Sequence, residues 1–285
     1  MKRYRVLAID FDSRATVLTQ EIKTEWEPHV REQWAQNKVR VREGLLAQYG
    51  SLSAEAKLEN FIALGPLPMS VLAFHNKFHS QARDAFVGDA YYPALTGVCA
   101  LGERVLNHLL LGLRGSFAAT PAYKKVYRKQ AFDDWEAAVS VLEAWGALVP
   151  AAVNAFGCLE QLRHRAIHFR PEVDTNDRDL ALEAIQQFTT IVQEQFTAFG
   201  RSPWFIPGAK GASYIKKEWE TNPFIRLVYL PSCVRVGPYH RLDHVGSRWK
   251  VIDPGPYDDI EVTDEEFLQR LEGGPPASPG SEGVV

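Results

Sequence analysis

Tyr91-Tyr92-Pro93-Ala94-Leu95-Thr96-Gly97-Val98-Cys99-Ala100-Leu101-Gly102-Glu103-Arg104-Val105-Leu106-Asn107-His108-Leu109-Leu110-Leu111-Gly112-Leu113 is the stretch that decides the fold. Leu95, Val98, Leu101, Val105, Leu109 and Leu110 recur at three- and four-residue spacing, so one long helix presents a broad apolar stripe. Gly115-Ser116-Phe117 and Pro121 end it. Similar patterns predict helices from about Ala131 to Leu148, from Ala151 to His168, and from Asp177 to Phe199. The last has Leu180, Ile185, Phe188, Ile191, Val192 and Phe196 as its apolar side. Four such helices joined by modest loops make a bundle over residues 90–199.

On the N-terminal side, Val6 to Phe11 reads as one short strand, and Thr16 to Gln48 as a polar helical stretch containing Trp26 and Trp34. Ser53 is placed to cap a helix running to about Ala63, because a serine oxygen can accept from free N–H groups at a helix start. Gly65-Pro66-Leu67-Pro68 is read as a breaker, and Val71, Phe74, Phe78 and Ala82 as the apolar face of the next helix. On the C-terminal side, Phe224–Leu230, Cys233–Val236, Tyr239–His244 and Arg248–Ile252 look like short strands between turns. Thr263-Asp264-Glu265-Glu266 has the form of a capping box. The Gly/Pro/Ser-rich residues 273–285 are expected to be disordered. The expected class is α+β, mainly α. A helical region with one strand (1–89) precedes the bundle (90–199), and a small β-rich module (200–272) and the tail follow it.

The 285 residues are ordinary in composition, 46% hydrophobic and 24% charged. A net charge of −3 excludes non-specific coating of nucleic acid, so such contact must come from local basic patches. Charges interrupt each apolar stretch before about 18 residues, so neither a signal peptide nor a membrane span is expected. Three widely separated cysteines fit neither a disulfide framework nor a zinc site. The expected location is the cytoplasm.

Chemistry concentrates in Leu159-Glu160-Gln161-Leu162-Arg163-His164-Arg165-Ala166-Ile167-His168-Phe169. RNA cleavage without a metal needs a base for the ribose 2′-hydroxyl and a cation for the phosphate. Histidine titrates near neutrality and suits the first task. Arginine stays charged and grips two phosphate oxygens, which suits the second.

The segment Arg163 to His168 resembles the Arg-x4–6-His signature of HEPN domains, in which a polar residue follows the arginine as His164 does here. The long opening helix at Tyr92 and the closing helix at Leu180 are similar to that family as well, so the resemblance covers about residues 90–199. It implies a metal-independent endoribonuclease without cofactor, acting on RNA as a homodimer whose motif helices face one another. Arg163 and His168 would be catalytic, with His164 and Arg165 in support, and the products would carry 2′,3′-cyclic phosphate and 5′-hydroxyl ends. Such domains serve as toxins or in defence against phage, which implies a neutralising antitoxin. Members that have lost catalysis bind RNA, nucleotide or a protein partner, and that alternative stays open. On a straight helix positions five apart diverge by roughly 140°. A bend or a dimer is therefore needed to bring Arg163 and His168 onto one phosphate.

Other residues carry weaker signals. Glu103 and Asn107 share a helix face, suited either to orienting an active-site group or to meeting solvent. Lys124, Lys125, Arg128 and Lys129 are interleaved with Tyr123 and Tyr127, a mix that stacks on bases and neutralises phosphates. Asp10-Phe11-Asp12 has the spacing of a phosphatase carboxylate pair, but a strand-end turn explains it. His75 and His79 stand at i and i+4 without a third ligand and are read as polar-face residues. Residues 208–250 carry eight Lys/Arg against three Asp/Glu, while 251–272 carry one against eight, so the two stretches are candidates to pair. Trp204, Trp219 and Trp249 are read as C-terminal core.

Overall fold

The computed structural model describes residues 1–167, 176–200, 202–209, 213–246, 248–255, 257–258 and 260–274. Most of the expected residue 273–285 tail, and His168 of the motif, lie outside them. The class is α+β and mainly helical, as the patterning predicts. In chain order the elements are β1 (Arg3–Val6), β2 (Ile9–Asp12), α1 (Arg14–Thr19), α2 (Pro28–Tyr49), α3 (Ala54–Leu64), β3 (Leu67–Val71), α4 (Asn76–Val87) and α5 (Tyr91–Leu113). After these come α6 (Trp135–Ala144), α7 (Pro150–Ile167), α8 (Asp177–Gln195), β4 (Cys233–Val236), β5 (Arg241–Val245), β6 (Arg248–Ile252) and α9 (Asp264–Gly273). They form two compact units, Ile9–Ala198 and Met1–Ala8 with Phe199–Val285.

In the larger unit α5 is the central helix, packed by α4, α6, α7 and α8. The six stripe residues read from the sequence are all buried, as are the six named on α8. Gly102 lies where α5 meets α6 and α7. A Cβ there would stand 2.4 Å from Trp135 Cη2 and 2.9 Å from Leu159 Cδ2. Glycine is unfavourable within a helix. Here its missing side chain makes room for the indole.

Several boundaries differ from the sequence reading, each for a local reason. The single strand expected at Val6–Phe11 is two strands with different partners. β1 pairs with β4 and β2 with β3, both antiparallel. A continuous apolar run carries no mark of a change of partner. The expected helix over Thr16–Gln48 is split into α1 and α2, with Pro28 in the first turn of α2, where its missing N–H costs nothing. Ser53 does not cap α3: its backbone is left-handed (φ 54°) and its side chain makes no cap bond. Residues Leu67–Val71, read as a breaker and a helix start, form β3 instead. Its second edge meets the chain leaving α8, where Val71 N–H donates to Phe196 O (3.0 Å) and Ala198 N–H to Met69 O (2.9 Å). That pairing ends α8 at Gln195 rather than Phe199. α6 begins at Trp135 rather than Ala131, because Asp134 accepts from Ala137 N–H as its cap.

In the smaller unit, Phe224–Leu230 is not a strand. Ile225–Tyr229 forms a π-helix, with Asn222 Oδ1 accepting from the N–H groups of Phe224 (2.9 Å) and Ile225 (3.2 Å). Asn222-Pro223 was the available signal, an N-cap residue followed by proline. The strands expected at Tyr239–His244 and Arg248–Ile252 are present as β5 and β6, and the two pair antiparallel. Both halves of the Thr263–Glu266 capping box are made at the start of α9. Ile206, Tyr214, Val236, Val262 and Phe267 form the core. Of the acidic 251–272 stretch, Glu261 meets Lys217 of the basic 208–250 stretch (3.1 Å), whereas Asp264 and Asp253 pair with Arg3 (2.8 Å) and Lys2 (3.1 Å), which lie outside it. Trp204 is buried, whereas Trp249, expected in the core, is 65% exposed on the hairpin. Strand residues point alternately to either face, and a two-stranded hairpin has only one covered side.

Among the described residues no helix is long and apolar enough to cross a membrane.

Candidate functional site

Arg163 lies on α7 beside three residues, Leu159, Leu162 and Ala166, that are buried against the bundle. Its own side chain sits at the boundary, 20% exposed, and its Nη2 donates to Glu103 Oε2 on α5 at 3.0 Å. The guanidinium carbon is 5.7 Å from the Trp135 ring centroid. The Trp135 indole N–H reaches the same Glu103 oxygen at 3.5 Å. One carboxylate oxygen therefore fixes both the arginine and the indole, and the ring face backs the cation. This order traces to Gly102: without the space it leaves, Trp135 would not sit beneath Arg163. Among the described residues the remaining Arg163 donors, Nε and Nη1, have no partner.

His164 is exposed and Arg165 half-buried in the last turn of α7. Cations there are favoured by the helix dipole whatever else they do. His168 follows the last described residue of α7, so its place relative to Arg163 is outside the structure.

Glu103 and Asn107, read as a shared face, have different tasks. Asn107 clamps the backbone of Phe132, its Nδ2 donating to Phe132 O and its Oδ1 accepting from Phe132 N–H, each at 2.8 Å. It also donates to Glu103 O at 2.9 Å. The clamp anchors the segment carrying the basic residues one helical turn from Glu103. Asn107→Ala is expected to cost about 1–3 kcal/mol, because Phe132 would lose both partners at once. Urea unfolding of the variant checks this, and an unchanged midpoint would remove the clamp from the account.

Lys124, Lys125, Arg128 and Lys129 are all exposed. The Tyr123 and Tyr127 rings lie 5.7 Å apart, and Arg128 stands 5.0 Å over the Tyr127 ring. Beside them is an open groove of about 640 Å³ lined by Ala118 to Pro121, Tyr123, Lys124 and Tyr127.

His75 and His79 are not on a polar face. Both are buried, and burial pushes the His75 imidazole down to about 3 and that of His79 well below its ordinary 6.5. His75 packs against Phe196 (4.6 Å), with both ring nitrogens unpartnered among the described residues; His79 packs on Phe188 (4.9 Å), with Thr189 Oγ1 3.3 Å from its Nε2. The buried residues of α4 are His79, Ala82, Arg83, Phe86 and Val87, with His75 buried just before its first turn, whereas Phe78, expected on that face, is 40% exposed under Arg104. Polar residue type hid a helical period that was present. Among the described residues no group of three His, Cys, Asp or Glu side chains could hold a metal.

The cysteines are free, with the Cys99 and Cys233 thiols pushed up to about 12 by burial.

In comparisons with known proteins, no family model, no curated protein and no solved structure matches this chain.

Proposed function

We propose that the chain is a metal-independent endoribonuclease of the HEPN type, working as a homodimer on RNA. The observation that carries the reading is the Arg163 guanidinium, held by Glu103 and backed by Trp135, its other donors unpartnered among the described residues. A cation fixed in this way is ready for a phosphate without reorganising. In this reading His168 takes the proton of the ribose 2′-hydroxyl. The freed oxygen attacks phosphorus, and the 5′-oxygen leaves with a proton. Arg163 holds the phosphate as charge builds on it, and the exposed cations from Lys124 to Lys129 guide the strand. A toxin or phage-defence role with a neutralising partner belongs to the same reading.

The test is cleavage of labelled RNA by the full chain in EDTA. Products should carry 2′,3′-cyclic phosphate and 5′-hydroxyl ends, and His168→Ala and Arg163→Ala should each cut at least about 100-fold more slowly. No cleavage in EDTA, or a His168→Ala variant as fast as the parent, would end the proposal.

One observation favours a second reading, a non-catalytic HEPN module that binds RNA, nucleotide or protein. The Glu103 carboxylate already compensates the charge of Arg163. RNA binding without cleavage would select it.

A further inference from the structure

A cleft of about 440 Å³ lies in the larger unit between β2, α3 and α4, at the small end of the range of roughly 300–1,000 Å³ for ligand pockets. Its polar lining is Asp10, Asp12, Arg14, Tyr49, Arg83 and Asp84. Arg14 and Asp12 pair, while the Asp12 and Asp84 charges also act on Arg83 through space without a hydrogen bond. Arg14 grips Asp12, with Nη2 at 2.7 Å and Nε at 3.1 Å from each oxygen, and spends Nη1 on Gln48 Oε1 (2.8 Å).

Arg83 has no such partner. It is 6% exposed, and among the described residues its donors reach only two backbone carbonyls, Gly65 O at 2.5 Å and Leu64 O at 3.5 Å. Among the described residues no carboxylate stands at ion-pair distance, and three of its five N–H groups have no acceptor. A buried guanidinium left in this state is costly, and a planar carboxylate is the acceptor that matches its fork. Toward the solvent the charge reverses. Asp84 is exposed and accepts the Tyr49 hydroxyl (2.7 Å), and Asp10 is half-buried with Asn76 Nδ2 3.3 Å from its Oδ2. Each keeps an oxygen for a cation. Buried Leu64 and Val87 supply an apolar wall.

We propose that this cleft binds a small zwitterion of the amino-acid class, its carboxylate on Arg83 and its ammonium toward Asp84 and Asp10. A phosphate dianion fits less well, because both acidic residues would repel its second charge. The site is independent of the Arg163 element.

The test is calorimetry on the full chain with each of the twenty standard L-amino acids, and inorganic phosphate as a parallel arm. At least one amino acid should bind saturably, and N-acetylation or carboxylate amidation of it should each weaken binding at least about tenfold. Arg83→Gln and Asp84→Asn should do the same. Arg83→Gln risks unfolding, so Ser80→Phe serves as a second variant. It fills the cleft from its edge and should abolish binding with an unchanged circular dichroism spectrum. The proposal is overturned if no amino acid binds, if binding survives loss of either charge or Ser80→Phe, or if phosphate alone binds in an Arg83-dependent way.

Discussion

Trp135→Ala is expected to lower the unfolding free energy of the larger unit by about 3–5 kcal/mol. Trp135 is 1% exposed, meets Phe156 edge-on at 6.3 Å, and occupies the space that Gly102 leaves on α5. Surrounding helices cannot close over so large a void, because each also packs on a common partner, α5. The same change removes the ring behind Arg163 and a donor to Glu103, so site order should suffer with stability. Trp135→Phe keeps most of the ring and loses the indole N–H, and should fall between parent and alanine. Urea unfolding followed by circular dichroism measures both. A loss below about 1 kcal/mol for the alanine variant would show that the bundle does not depend on this contact.

The second large effect is acid sensitivity. Unfolded histidine titrates near 6.5, while folded His75 is held at about 3 and His79 also well below 6.5. Between those values the unfolded chain binds protons that the folded chain refuses. The stabilising contribution of the neutral imidazoles is therefore complete above about pH 6.5 and is lost as pH falls toward 3. Each histidine gives a slope of about 1.4 kcal/mol per pH unit, so two give nearly 3. Against a typical stability of about 5–15 kcal/mol, the larger unit should unfold well before most carboxylates are protonated. Asp12 acts in a lower window. Desolvation raises its pKa, but the hydrogen bonds and charge of Arg14 outweigh that and hold it below 3.8, so its contribution is lost only beneath that value. His75→Phe should remove about half of the slope between pH 6 and 4.5. A urea midpoint that stays constant from pH 6.5 to 4.5 would contradict the account.

Legibility in the sequence followed how far apart the interacting residues are. The α5 stripe, the apolar side of α8, the α9 capping box and the strands β5 and β6 all rest on residues within a few positions of each other, and all are readable. The misread elements depended on distant partners. β3 exists because β2 and the chain after α8 offer it hydrogen bonds, and Ile9–Asp12 leaves β1 because its partner is β3. The site divides in the same way. Arg163 stands out in the sequence for its chemistry and Glu103 for its helix face. Trp135, which orders both, carried no signal beyond its size.

The sequence by itself determined the helical periods, the residue types that can do chemistry and the charges that must find partners. Only the tertiary structure decided which of those charges meet. Arg163 reaches Glu103 across 60 positions, Arg14 reaches Asp12 across two, and Arg83 reaches no carboxylate among the described residues. The physical reason is that an ion pair forms within a few ångströms of space. Chain order fixes such distances only within one helical turn or one tight turn.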